Sequence, residues 1–419
     1  MINRKSMLNK TIYWLLDCRF DFLLDSFMCN FGVKKDDITL VNSYHNGARK
    51  TWNKIYIPYE EKNAVILMEP DEINRTFSRI IRLDKPNLII SFSGAGLPQS
   101  DNLISLIATG TVADQCNDKY WQYRCFKRNQ ILTPYTYQYC NMRALQADLD
   151  YFLYKYGKVV IKRPYLSGGY QMAVLSSRRD FENYSADLKN RNVNQNFLVS
   201  EYIPHQQSFA GMGIVRKDGT LYIINAVTEQ VLYQDVAYEG LIFPAFLDDI
   251  HKREINCITE KIGKILGQNG YFGFYNVDFI LGEDSRMYAV EINARIGFGT
   301  ILAACLYGDK FWELLNGKCT DEIKYPRKRL VLGKIKAEEG RVYSNLKSYS
   351  NILDWFQEQN GFFKTFFCGL YEPERFEYGS FIGMFGEFFD ETETRENILN
   401  MFWMRCIEYY KKGMAESEK

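Results

Sequence analysis

The sequence predicts a multidomain protein of mixed α/β and α+β class. Three observations lead there. The chain has 419 residues, too many for one ordinary hydrophobic core, so two to four domains are expected. Residues 1–117 alternate short apolar runs with helical patterns, as a small α/β unit does. The middle of the chain is a succession of hairpins, long strands joined by Gly-containing turns, with one long helix among them.

In order, "NAVILME" (63–69) and "PNLIISFSG" (86–94) read as buried strands ending in turn residues, and "DNLISLIATG" (101–110) reads as a helix with an Asp N-cap and a Gly stop. Asn117 or Asp118 caps a further helix over 117–131. "KVVIKRPYLSGGYQMAVL" (158–175) is strand, glycine turn, strand, and "NQNFLVSEYIP" (194–204) is a strand that stops at Pro204. A hairpin spans 208–230 with its turn at Lys217-Asp218-Gly219. A helix over about 249–267 leads to a second hairpin, 271–295, whose turn is Gly282 to Ser285. Residues 299–317 are helical, 379–389 form a strand, and a helix over about 393–411 precedes a charged tail.

Composition narrows the function. Lys plus Arg is 52 and Asp plus Glu is 51, a net charge of +1, so no global field points to nucleic acid or to an anionic membrane. The N-terminal run "TIYWLLDCRFDFLLDSF" is interrupted by Asp17, Arg19 and Asp21, which suits neither a signal sequence nor a membrane span. Ten cysteines form no CxxC pair, as expected of reduced thiols in a cytoplasmic protein. Only three histidines are present. A His-rich metal site is excluded, and chemistry must run on carboxylates, lysines, arginines and metal.

Three stretches carry chemistry. In "YAVEINARIGFG" (288–299), Glu291, Asn293 and Arg295 occupy alternate positions. Alternate residues of a strand share a face, and two such residues lie roughly 6.6 Å apart. If 271–281 pairs with 286–295, Asp278 arrives beside Glu291 and Asn293. Two carboxylates and an amide oxygen make a hard site of the kind Mg²⁺ takes, and Arg295 stands where a phosphoryl or carboxylate oxygen needs a bidentate cation. Second, Lys162 ends an apolar strand ahead of the turn Ser167-Gly168-Gly169, where backbone N–H groups and a lysine could hold phosphate. Third, "FLVSEYIP" leads an apolar strand into a linker carrying Glu201, whose main chain could pair with an adenine edge. Each stretch alone fits a solvated strand face, a plain turn or a strand exit.

Taken together and in order, these stretches resemble the ATP-grasp superfamily: DK (118–119), VVIK (159–162), SGG (167–169), SEYI (200–203), VDF (277–279) and EINAR (291–295). The resemblance is collinear from about 85 to 317. It implies a pre-ATP-grasp α/β domain at 1–117, an ATP-grasp core of two lobes at 118–199 and 200–322, and a small C-terminal α+β domain at 323–419. It implies that Lys119 and Lys162 contact the phosphates of ATP and that Ser167, Gly168 and Gly169 close over them. Glu201, Tyr202 and Ile203 match the adenine hinge. Asp278, Glu291 and Asn293 match the ligands of Mg²⁺ (or Mn²⁺), and Arg295 and Lys162 match the catalytic cations. Gln207 stands where many members carry a glutamate for the ribose. In the peptide-ligase branch, segments similar to 227–240 face the acyl substrate, which implies pocket roles for Gln230 and Tyr238; a β-meander with an exposed loop accounts for them equally well.

The activity implied is ADP-forming carboxylate–amine ligation through an acylphosphate, with a small-molecule or peptide acid and an amine as partners, and a homodimer as a common assembly. The layout looks most like peptide and amino-acid ligases of specialised metabolism, such as the pheganomycin-type peptide ligases. Two alternatives stay open: acyl loading onto the thiol of a carrier protein, and a non-catalytic ATP-binding module.

Overall fold

The computed structural model describes residues 10–15, 23–41, 55–56, 81, 86–91, 93–166, 171–190, 196–233, 237–307, 310–315, 328–336, 364–368 and 381–404. The expected strand at 63–69 and the Ser167-Gly168-Gly169 turn lie outside them.

The N-terminal region forms a parallel sheet. Its elements are β1 (Thr11–Leu15), α1 (Leu23–Phe31), β2 (Ile38–Val41), β3 (Ile55–Tyr56), β4 (Asn87–Ser91) and β5 (Leu103–Ser105), in the order β3-β2-β1-β4-β5. All four pairings are parallel. Every residue of β4 is buried, as a strand with neighbours on both edges and cover on its faces requires. The expected helix over 101–110 is a correction: β5 occupies 103–105 and pairs with β4, while Gly110 starts α2 (Gly110–Asn117) instead of ending a helix. A short apolar run has no decisive period. The free edge of β4 decided the outcome, and Gly110, with φ +64°, supplies the left-handed turn into α2.

α2 leads directly into α3 (Lys119–Arg128), where the Asp118 carboxylate accepts from the N–H groups of Tyr120 and Trp121. A four-stranded antiparallel sheet follows, built from β6 (Thr136–Tyr139), β7 (Val159–Lys162), β8 (Ala173–Leu175) and β9 (Phe197–Glu201) in the order β6-β9-β7-β8. Helices α4 (Met142–Tyr156) and α5 (Arg178–Asn190) cover one face, with Leu145, Leu149, Phe152 and Phe181 packing on Val159, Ile161 and Val199.

The largest sheet has eight strands in the order β14-β13-β10-β11-β12-β15-β17-β16. They are β10 (His205–Val215), β11 (Leu221–Tyr233), β12 (Ala237–Phe243), β13 (Gly273–Gly282), β14 (Met287–Asn293), β15 (Lys328–Lys336), β16 (Lys364–Cys368) and β17 (Phe381–Asp390). α6 (Asp249–Gln268) precedes β13. The stretch expected to be helical over 299–317 contains two helices, α7 (Phe298–Tyr307) and α8 (Phe311–Leu315). The last described helix, α9, runs over 395–404.

Packing crosses two of the domain limits drawn from sequence. β15 to β17 extend the sheet begun by β10 to β14, so no break in pairing falls at 322/323. α2 and α3 bury Cys116, Trp121, Cys125 and Phe126 against Val277, Ile292 and Ala294 of the large sheet, so α3 shares the core of that sheet and not that of the four-stranded one. Apolar surface is buried wherever a complementary face is presented, irrespective of sequence distance.

Candidate active site

The site grows from the β13–β14 hairpin. Gly282 and Ser285 close its turn, Ser285 adopting φ +59°. The register sets Asp278 opposite Glu291 and Asn276 opposite Asn293. Phe279 pairs with Ala289, so Val290 is an extra residue in β14. This bulge matters. Met287 and Ala289 lie in the core before it, and Ile292 and Ala294 lie in the core after it. Unbroken alternation from Met287 would have sent Glu291 into the core. The extra residue turns Glu291 and Asn293 outward instead.

The polar side chains brought together here are tied to one another. Lys119, the first residue of α3, places its Nζ 3.2 Å from Glu291 Oε1 and donates to the carbonyl of Leu166. Arg295 lies 3.9 Å from the same Glu291 oxygen, and it donates to Asn293 Oδ1 and, over 3.4 Å, to Asn117 Oδ1. Asn293 Nδ2 donates to one Asp278 oxygen over 2.7 Å, and Gln230 Nε2 donates to the other over 2.8 Å. Lys162 reaches the cluster from β7 and is 8% exposed.

Burial and charge act against each other. Burial raises the Asp278 carboxyl to about 7, with Glu291 adding to the rise, against the Asn293 hydrogen bond and Arg295. Burial also pushes Glu291 upward, but Lys119, Arg295 and Lys162 together bring it below its usual value. Burial lowers Lys119, and it lowers Lys162 to about 8. The result is a buried cluster in which three cations face two carboxylates. That surplus suits a polyanion.

The donor set also fits a hard divalent cation. Two buried carboxylates stand opposite each other, one kept near 7 by burial, with the Asn293 amide beside them. Among the described residues no group of three or more His, Cys, Asp or Glu side chains is placed for a metal. One or two carboxylates, completed by water and phosphate oxygens, are what Mg²⁺ uses.

At the hinge, Glu201 turns back toward β6. Its carboxylate accepts from Tyr135 N over 3.0 Å, and its own N–H donates to Tyr135 O. Tyr202 N–H donates to Lys158 O, and the Ile203 carbonyl lies 2.7 Å from His205 Nδ1. A cavity of about 700 Å³ opens here, lined by Glu201, Ile203, Pro204, Tyr135 and Tyr288 among others. Gln207 is half-buried on β10, where a bulge interrupts pairing with β13. Tyr238, on β12, pairs through its backbone with Leu232 of β11. Of the two residues matched to the acyl pocket, Gln230 thus sits on the carboxylate cluster itself. Sequence reasoning had Asn117 only as a helix cap and passed over the Leu166 carbonyl. Neither carries a local signal, because both are brought in by the packing of α2 and α3.

Residues 116–299 match the model of the ATP-grasp domain family. A relative from Niallia circulans, named butirosin acyl-carrier protein–L-glutamate ligase, is 26% identical over 189 residues, 44% of this chain and 44% of the relative. L-propargylglycine–L-glutamate ligase of Streptantibioticus cattleyicolor is 33% identical over 102 residues, 24% of this chain and 20% of the relative. The chain thus aligns with less than half the length of these curated relatives. Among solved structures, a carboxyaminoimidazole ribonucleotide synthase of Aspergillus clavatus, complexed with ATP, superposes with a TM-score of 0.65 at 12% identity, covering 96% of this chain and 99% of that one. An L-amino acid ligase of Bacillus licheniformis superposes with a TM-score of 0.59 at 14% identity, covering 97% of each chain. At such identities the likeness speaks for the fold: the chain is similar in fold to these structures, and its residues 116–299 match the ATP-grasp domain family.

Proposed function

We propose that this chain is an ATP-dependent, ADP-forming ligase that joins a carboxylate to an amine, as the curated relatives' names and the L-amino acid ligase neighbour suggest. The observation that carries the reading is the buried cluster of Asp278, Glu291, Asn293 and Arg295 with Lys119 and Lys162 facing it. In this reading Asp278, Glu291 and Asn293 hold Mg²⁺ (or Mn²⁺), and Lys119, Lys162 and the Ser167-Gly168-Gly169 turn hold the phosphates of ATP. Glu201, Tyr202 and Ile203 border the base, with Gln207 toward the ribose. Bound Mg²⁺ neutralises phosphate charge and polarises the phosphoryl group that is transferred.

The chain's own contribution is positioning and charge. An oxygen of the substrate carboxylate attacks the γ-phosphorus, ADP leaves, and an acylphosphate forms. The amine then attacks the acyl carbon, phosphate leaves, the amine loses a proton, and an amide remains. Arg295 neutralises charge on the transferring group, Lys119 keeps Glu291 ionised, and Gln230 and Asn293 orient Asp278. No protein nucleophile is required. We assign residues 118–199 and 200–322 to the two lobes that close on the nucleotide, with α3 packed into the core of the second.

A second reading, transfer of the acyl group to a carrier-protein thiol, is favoured by the relative whose name includes an acyl-carrier protein. One experiment separates the two: ADP and phosphate release with Mg²⁺-ATP across pools of amino acids, peptides and acyl carrier proteins, with mass spectrometry of the products. ADP release that needs both an acid and an amine, with a product one water lighter than its parts, supports the amide ligase. A thioester on the carrier selects the second reading. Nucleotide binding without turnover in any pool argues for a binding module.

A further inference from the structure

Among the described residues β14 lies at the edge of the large sheet, with β13 as its single strand neighbour. An edge strand exposes main-chain N–H and C=O groups that must find partners when buried. Among the described residues those partners are the Leu132 carbonyl, which accepts from Ala289 N over 2.9 Å, and, around the site residues, side chains of the preceding helices. Gln122, one turn beyond Lys119 in α3 and 1% exposed, accepts from Ile292 N over 2.9 Å through Oε1 and donates to Ile292 O over 2.6 Å through Nε2. Its carboxamide therefore forms the pair of hydrogen bonds that a neighbouring strand would form. A third bond, from Nε2 to Cys116 O over 2.9 Å, ties the same amide to the end of α2. Asn117, 8% exposed, repeats the arrangement two residues along, donating to Ala294 O over 3.2 Å while its Oδ1 accepts from Arg295.

The places bound are telling. Ile292 lies between Glu291 and Asn293, and Ala294 between Asn293 and Arg295. Gln122 and Lys119 lie three residues apart, on one face of α3. The helix thus addresses one strand twice, with an ammonium on the Glu291 side chain and an amide on the backbone beside it. A slip of one residue in β14 would break both contacts and reverse the faces of Glu291 and Asn293.

We propose that Gln122, supported by Asn117, is a positioning residue: its carboxamide locks the register of β14 against α3 and so holds Glu291 and Asn293 beside Lys119. The inference rests on the metal and nucleotide roles given above. Gln122 touches no reacting atom and acts through the strand.

The test uses the whole chain and compares Gln122→Leu with Phe126→Leu, which loosens the same face of α3 without touching the β14 backbone. Binding of Mn²⁺-ADP is measured by calorimetry, alongside thermal midpoint and ADP-forming turnover. Gln122→Leu is expected to lower Mn²⁺-ADP affinity and kcat by ~10-fold or more. The KM of the acid should change by less than about 3-fold, because the acid does not contact this backbone. Phe126→Leu is expected to lower the midpoint while leaving both readings near the parent's. Equal losses in the two variants at equal midpoint, or parent-like affinity in Gln122→Leu, would overturn the proposal. Should Gln122→Leu fail to fold, Gln122→Asn and Asn117→Ala each remove part of the same clamp and are judged by the same two readings. Glu291→Gln separates this inference from the reading beneath it. If Glu291→Gln binds Mn²⁺-ADP like the parent, the metal assignment fails; if Glu291→Gln loses binding and Gln122→Leu keeps it, only the positioning role fails.

Discussion

The two sheets that meet at the site supply it in different ways. From the large sheet and α3 come six side chains that are already bonded to one another: Asp278 to Gln230 and Asn293, Asn293 to Arg295, Glu291 to Lys119. From the four-stranded sheet comes Lys162, which sits near Glu291 and Asp278 through charge. The first half is organised before any ligand arrives. The second is a cation on a separate core, so its distance to the first depends on how the two cores sit together. Organisation of the carboxylate half should therefore govern the chemical step, and Lys162 should govern nucleotide affinity.

That contrast can be broken by mutation. The largest effect is expected from Glu291→Ala, which leaves Lys119 and Arg295 buried without their shared carboxylate. ADP formation should fall by ~10³-fold or more while the circular dichroism spectrum is unchanged. Retention of full turnover would remove the metal assignment. Lys162→Met should weaken ATP binding by ~10- to 100-fold, the scale of one lost charge-assisted hydrogen bond, with a smaller effect on the rate at saturating ATP. A pure rate effect at unchanged ATP affinity would show that the two halves are not divided in this way. Gln230→Leu takes one of the two donors from Asp278. It should raise the Mg²⁺ concentration needed for half-maximal activity by ~10-fold, and an unchanged metal requirement with an altered acid preference would move Gln230 to the substrate pocket instead.

A fourth variant sharpens the comparison from outside the site. Glu229, 0% exposed on β11, pairs with Arg395 at the start of α9. Arg395→Ala strands that carboxylate and should cost about 2–3 kcal/mol of stability, allowing for the partial exposure of Arg395. Mg²⁺ requirement should be unaffected, because Glu229 and Gln230 point to opposite faces of the strand. Burial already raises the Glu229 carboxyl above its usual value, against Arg395 and Arg329. A raised folded pKa means stability is lost as pH climbs from the unfolded value through the folded one. Loss of Arg395 raises the folded value further, so the gap in thermal midpoint between variant and parent should widen as pH rises above the ordinary carboxylate range. A gap independent of pH would mean that Glu229 stays protonated or finds another cation. The smallest effect is chemical. Burial pushes the Cys116 thiol up to about 12, whereas Cys29, Cys140 and Cys257 are exposed. Iodoacetamide at about pH 8 should label those three well before Cys116, and early loss of Cys116 would reveal opening between α2 and the large sheet.

The parts of the molecule legible in the sequence are those whose signal is local. The β13–β14 hairpin announces itself through its turn and through the two-residue spacing of Glu291, Asn293 and Arg295, and α3 through its Asp118 cap. Residues 101–110 misled because so short an apolar run carries no period of its own, and the open edge of β4 made Leu103–Ser105 a strand. Gln230 was legible only as a member of a segment. Its contact with Asp278 crosses β10 and exists only when β11, β10 and β13 are laid side by side.

The sequence by itself thus determined which residue types the chemistry has available and which of them share a strand face, since side-chain alternation and helix capping depend on neighbours a few residues away. It could not determine that Val290 bulges out to turn Glu291 away from the core, that Lys119 reaches Glu291 across 172 positions of chain, or that Gln122 closes the edge of β14. Those depend on register and burial. A bulge is chosen by which of two faces is covered, and a buried amide finds its partner only after apolar surfaces far apart in sequence have been driven together.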